Sequence, residues 1–132
     1  MRRGIQTVDM KQKESHKADL LVRGRLAKEQ GSLDDAARLF GEAAQLEESL
    51  AAAYEAQGVS EQVQRHRFSA AGCWSQAGNF LRALELCDAL SSDKSAPLPL
   101  QERAAEYARI LRERRDRLWA EILQAERQPI AA

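Results

Sequence analysis

Apolar side chains recur every three to four positions along most of this chain, and short glycine-containing breaks divide the pattern into five helical segments. The spacing predicts a first helix over about 14–30, with Leu20, Leu21, Gly24, Leu26 and Ala27 on its packing side. Gly31 is placed to end it in the left-handed conformation, which costs glycine no Cβ clash. Ser32 follows as an N-cap, with Asp35 three residues on in capping-box position. A second helix over 33–57 carries Ala36, Phe40, Ala43, Leu50 and Tyr54 as its stripe. Gly58 ends it, and Ser60 is placed to cap a third helix over 61–77 that bears Val63, Phe68, Ala71 and Trp74. Gly78 and Asn79 repeat the stop and restart before a fourth helix over about 80–90.

Within the segment SSDKSAPLP, residues 92–99 read as the one clear linker, because its prolines and serines resist helix. A fifth helix over 100–127 offers Leu100, Ala104, Tyr107, Leu111, Leu118 and Ile122 as a docking stripe and stops before Pro129. Residues 1–13 carry no helical period and predict a flexible tail, and 128–132 predict another.

Two stretches of the pattern superimpose at an offset of 47 positions: Gly24, Ala27, Gly31, Ala36, Phe40 and Ala43 on Ala71, Trp74, Gly78, Ala83, Cys87 and Leu90. Small residues at facing positions let helix backbones approach closely, and Phe40 and Trp74 fill the space beside them. A repeated helix–turn–helix unit buries its apolar face only against a neighbour, which points to a small helical solenoid.

These residues resemble the tetratricopeptide repeat, a helix pair of about 34 residues with a small residue midway along its first helix. Its turn glycine and the alanine–aromatic–alanine set of its second helix find counterparts at Gly31, Ala36, Phe40 and Ala43. Leu20 stands where the family has tryptophan, and in the second unit Cys87 and Leu90 replace the aromatic and the last alanine. The resemblance implies an all-α, five-helix antiparallel array: two hairpins over 14–91 and a long C-terminal helix that caps the second. The period of 47 departs from 34, and the extra residues fall around Gly58. Lengthening the second and third helices by about two turns each would project that hairpin by roughly 10 Å.

The resemblance also implies a concave groove lined by Leu21, Arg25 and Lys28 and by Phe68, Gly72 and Ser75. The lysine–asparagine pairs by which some relatives hold a peptide's terminal carboxylate are absent, since Leu21 and Arg25, then Phe68 and Gly72, occupy their places.

Composition strengthens the helical reading: 44% hydrophobic residues, 30% charged and only three prolines. Twenty basic side chains balance twenty acidic ones, which disfavours a protein built to grip nucleic acid. No apolar run approaches the roughly 18 residues that span a bilayer, and the basic N-terminus lacks a signal peptide's apolar core. These features lead us to expect a cytoplasmic protein with no membrane partner.

Candidate chemistry is sparse. Cys73 and Cys87 lie too far apart for a redox or zinc motif and read as buried thiols. His16 and His66 read as isolated surface residues, and Glu47 and Glu48 as part of a solvated face. No phosphate loop, nucleophile elbow or HExxH motif is present, so no enzyme activity, metal or cofactor is expected.

Arg109, Arg112, Arg114, Arg115 and Arg117 crowd the last helix and could hold an anionic partner, but Glu106, Glu113 and Asp116 lie at pairing distance among them. Leu118, Trp119, Ile122 and Leu123 form a broad apolar cluster. Either it extends past the body as an interface, including one between copies of the chain, or it slides down to cap the core. The sequence leads us to expect a non-catalytic adaptor or assembly subunit that binds another protein or peptide. The alternative is a nucleic-acid or acidic-protein binder using the arginine helix.

Overall fold

A computed structural model describes residues 5–127, which form five α-helices and, among the described residues, no strand. They are α1 (Val8–Glu29), α2 (Leu33–Ala56), α3 (Ser60–Gln76), α4 (Phe80–Ser91) and α5 (Leu98–Arg127). Each helix packs chiefly against the next in sequence. The predicted tail at 128–132 and the start of the N-terminal one lie outside the described residues.

Three tight turns share one construction. Gly31, Gly58 and Gly78 adopt φ of 78°, 74° and 83°. The amide after each glycine donates back to a carbonyl five residues earlier: Ser32 to Ala27 at 2.8 Å, Val59 to Tyr54 at 3.1 Å, Asn79 to Trp74 at 2.9 Å. This Schellman pattern satisfies carbonyls that the helix end leaves without partners.

The expected serine caps do not form. Ser32 occupies the N-cap of α2 without a side-chain bond to the helix, and Val59, not Ser60, is the N-cap of α3. At these three turns only Asn79 caps as its type suggests, accepting from the Arg82 amide at 3.1 Å. The turns are therefore set by how each helix ends rather than by how the next begins.

The first helix begins earlier than its apolar period predicts. Thr7 caps it by accepting from the Met10 amide at 3.1 Å. Met10 is buried with Leu50, Ala51, Tyr54 and Val63. Residues 8–13 are thus helix and not flexible tail, and they cover the lengthened end of α2. Lys13 Nζ donates to Ser49 Oγ at 2.8 Å, and Gln57 Nε2 donates to the Ile5 carbonyl at 2.6 Å. On the other flank, Gln64 Nε2 reaches Ser95 Oγ at 3.3 Å in the linker. The α2–α3 hairpin consequently does not project as a bare arm. The apolar period missed this because its covering turns carry one large apolar anchor among polar side chains.

Leu26, expected on the packing side, is exposed. The core there is instead Leu20, Ala27, Ala36, Leu39, Phe40, Ala43, Ala44 and Cys73. Gly24 allows the closest helix contact: a Cβ at that position would lie 3.2 Å from the Phe40 ring. Ala36 is buried in the same cluster, 4% exposed. Ala36→Leu is expected to lower stability by about 1–3 kcal/mol through overpacking, read as an earlier thermal midpoint. A second cluster joins Ala70, Ala71, Ala83, Leu84, Leu86 and Cys87 to Ala108 and Leu111 of α5.

Candidate functional site

Helices α1, α3 and α5 share one side of the molecule and enclose two adjoining clefts. The first, about 350 Å³, is lined by Leu21, Arg25 and Lys28 of α1, Ser69, Gly72, Cys73 and Gln76 of α3, and Tyr107 of α5, with Phe40 at its floor. The second, about 520 Å³, is lined by Phe68, Pro99, Glu102, Arg103, Glu106, Tyr107 and Ile110. Tyr107 borders both. Its ring meets Phe68 edge-on, with centroids 6.1 Å apart, and the Arg103 guanidinium lies 5.2 Å over the Phe68 face.

Five of the six expected groove residues therefore line this paired depression: Leu21, Arg25, Lys28 and Gly72 in one cleft, and Phe68 in the other. Ser75 lines neither. Among the lining residues that sequence reasoning missed are Arg103 and Tyr107 of the fifth helix. Both fall outside the repeated units, so no repeat position marks them.

Electrostatics give the first cleft a positive edge. No carboxylate lies within ion-pairing distance of Arg25 or Lys28 among the described residues, and Lys28 Nζ donates only to Gln76 Oε1 at 3.1 Å. Gly72 leaves open space, since a Cβ there would meet nothing within 4 Å. In the second cleft Glu106 is held by Arg109, at 3.0 Å from Nε.

A charged cluster inside the body corrects two expectations. Glu47 is 1% exposed rather than on a solvated face, and His66 is largely buried rather than a surface residue. Lys17 Nζ lies 2.6 Å from Glu47 Oε1 and 2.7 Å from Glu14 Oε2. The His66 ring bridges the same two carboxylates, 3.5 Å from each, and stacks on Tyr54 with centroids 5.4 Å apart.

These contacts to Glu47 are close but poorly aligned, and neither of its oxygens has a well-formed hydrogen bond. Burial pushes the Glu47 carboxyl up, but His66 and Lys17 outweigh it and hold the group below its usual value. Burial likewise opposes the Lys17 ammonium, and Glu14 and Glu47 reverse that and raise it. None of these side chains lines either cleft, so the cluster ties α1, α2 and α3 together rather than facing a ligand.

Glu48 is also a linker between helices. It accepts from Trp74 Nε1 at 2.7 Å and pairs with Arg82, joining α2 to α3 and α4. Cys73 and Cys87 are buried free thiols, and desolvation pushes both up to about 11. No group of three or more potential metal ligands occurs among the described residues. No helix there is long and apolar enough to cross a membrane.

The arginines of α5 are mostly engaged. Arg109 pairs with Glu106 and with Glu113 at 2.6 Å, Arg112 with Asp88 of α4 at 2.5 Å, and Arg115 with Asp116 at 3.2 Å. Arg114 and Arg117 make no ion pair among the described residues. Leu118, Trp119, Ile122 and Leu123 are all exposed, so the cluster extends past the body instead of capping the core.

No family model matches the sequence, and neither a curated protein nor a solved structure is detectably similar to it.

Proposed function

We propose that this chain is a non-catalytic protein–protein interaction adaptor or assembly subunit on a tetratricopeptide-repeat-like scaffold. Its paired cleft takes an extended acidic segment carrying an apolar anchor. The observation that carries this reading is the pairing of two uncompensated cations, Arg25 and Lys28, with an open apolar surface around Gly72, Phe68 and Tyr107. An anionic side chain would meet charge without displacing an internal carboxylate, and an aliphatic or aromatic one would cover the ring pair. The scaffold reading is supported by the small-residue contact of Gly24 with Phe40 and by the three like turns. The alternation of α1, α3 and α5 on the groove side supports it further.

The alternative, an anion-binding module on the arginine helix, has less support, because Arg109, Arg112 and Arg115 already face carboxylates. That alternative demands affinity that falls steeply with salt.

The test is selection from a random peptide-display library, with affinities of the selected peptides measured in solution. Enriched sequences should combine Asp or Glu with Leu or Phe. Gly72→Trp, which fills the cleft without a clash at Cβ, and the pair Arg25→Glu with Lys28→Glu should each weaken them at least about tenfold, or 1.4 kcal/mol. Selection that yields no such consensus, or peptides that bind all variants equally, would overturn the assignment.

A further inference from the structure

The last helix carries a seam that outruns its neighbour. Ala104, Ala108 and Leu111 face α4 and are buried. The same alternation of four and three residues continues through Arg115, Leu118, Ile122 and Ala125, a heptad register. Leu111 is 0% exposed, whereas Leu118, two turns later on the same face, is 47% exposed. Arg112 lies against Asp88 of α4, and the rise in exposure from Leu111 to Leu118 shows the seam coming free of its neighbours within those two turns. From Leu118 to Arg127 the free rod is about 15 Å long at 1.5 Å per residue. It carries Trp119 (58% exposed) and Leu123 beside the seam.

Charge around this rod is unevenly placed: Arg114 and Arg117, unpaired among the described residues, precede Leu118, and Glu121 and Glu126 follow it, with Arg127 at the end. Arg114, Glu121 and Glu126 have no ion-pair partner among the described residues of a single chain. A surface of this kind complements itself in one orientation only. With two copies antiparallel about the level of Ala120, Leu118 of each meets Ile122 of the other, and Arg115 lies against the small Ala125. The flanking positions then bring Arg114 to Glu121, twice by symmetry, and set the two Trp119 rings side by side. A parallel pair would stack Arg115 on Arg115 in the seam and set Glu121 against Glu126, which is repulsive.

We propose that the exposed end of α5 is a self-association surface on which a second copy of this chain docks antiparallel, forming an isologous dimer. Such a dimer would present two clefts on one assembly, but it does not depend on the groove reading, and either can fail alone.

Sedimentation equilibrium over a concentration series of the full chain tests it. Wild type should move from monomer to dimer with increasing concentration. Ile122→Asp should be monomeric throughout while keeping its helical signal and melting midpoint, since the site lies outside the core. Arg114→Glu and Glu121→Arg should each raise the dissociation constant about tenfold, and the double swap should restore it, because the antiparallel pair is rebuilt with its signs exchanged. A chain that stays monomeric at every concentration, including one whose seam instead binds an unrelated protein, overturns the proposal. So does a dimer indifferent to Ile122→Asp, or one that the double swap fails to rescue.

Discussion

Lys17→Met is expected to destabilise the fold by about 3 kcal/mol, the lower end of the range for breaking a buried ion pair from one side. The loss is not mainly that of an attraction. Glu47 is 1% exposed, and without Lys17 the His66 ring is its one ion-pair partner among the described residues. An ionised carboxylate would then remain desolvated among apolar neighbours, with neither oxygen well hydrogen-bonded. The double variant Lys17→Met with Glu47→Leu should recover most of the deficit, because it removes both charges and leaves a packable volume. Urea midpoints of the parent, both single variants and the double complete the cycle. Additive losses would show that the pair is not energetically coupled.

The same cluster sets a pH dependence with a definite sign. Glu47 is held below its ordinary value of 4.5, so its contribution is present above that pH and is lost as pH falls through the folded value. Lys17 is raised above 10.5, so its contribution is present below that pH and is lost as pH rises through the folded value. In Lys17→Met only His66 still opposes burial at Glu47, so the carboxyl should shift upward, toward its protonated form. The deficit relative to wild type should therefore shrink on moving from neutral pH toward pH 4, when Glu47 can be buried neutral. A deficit that stays constant across that range would contradict this account.

How far the sequence discloses such features depends on whether local spacing encodes them. The glycine stops at Gly31, Gly58 and Gly78 were legible because a positive φ selects for one residue type, and all three adopt it. Helix existence was legible from period, and the positions of Leu21, Arg25, Lys28, Phe68 and Gly72 at the clefts followed from the repeat register, whereas Ser75 lines neither cleft. The start of α1 was not: its covering turns bury Met10 alone, and one anchor makes no period. Glu47 and His66 read as surface residues because an isolated polar side chain looks the same whether solvent or a distant helix faces it. Glu47 meets Lys17 from 30 positions away, and His66 meets Glu14 from 52. The exposure of the α5 cluster turned on where α4 ends relative to α5, a question of docking register that no periodicity in α5 can answer.

Leu111→Ala is expected to produce the other large effect, a loss of about 2–5 kcal/mol for a fully buried leucine. Its consequence should be local as well as global. Helix α5 packs chiefly on α4, through Ala104, Ala108 and Leu111, and two of those three are already as small as alanine. Leu111 is thus the one large side chain of the seam in the second core cluster. Without it, α5 should open before the α1–α3 body melts, as a unit with few remaining apolar contacts.

Cys87 reports that opening directly. It is buried in the same cluster, and its thiol is pushed up to about 11, so labelling in the closed state is slow on both counts. Cys73 lines the first cleft, where α5 contributes Tyr107, but it packs in the other cluster with residues of α1 and α2 and should stay protected. In Leu111→Ala at low denaturant, Cys87 should therefore react at least tenfold faster than in the parent, with Cys73 unchanged. Equal acceleration of both thiols would mean that α5 and the body unfold together, and that α5 is no separable cap but part of a single cooperative unit.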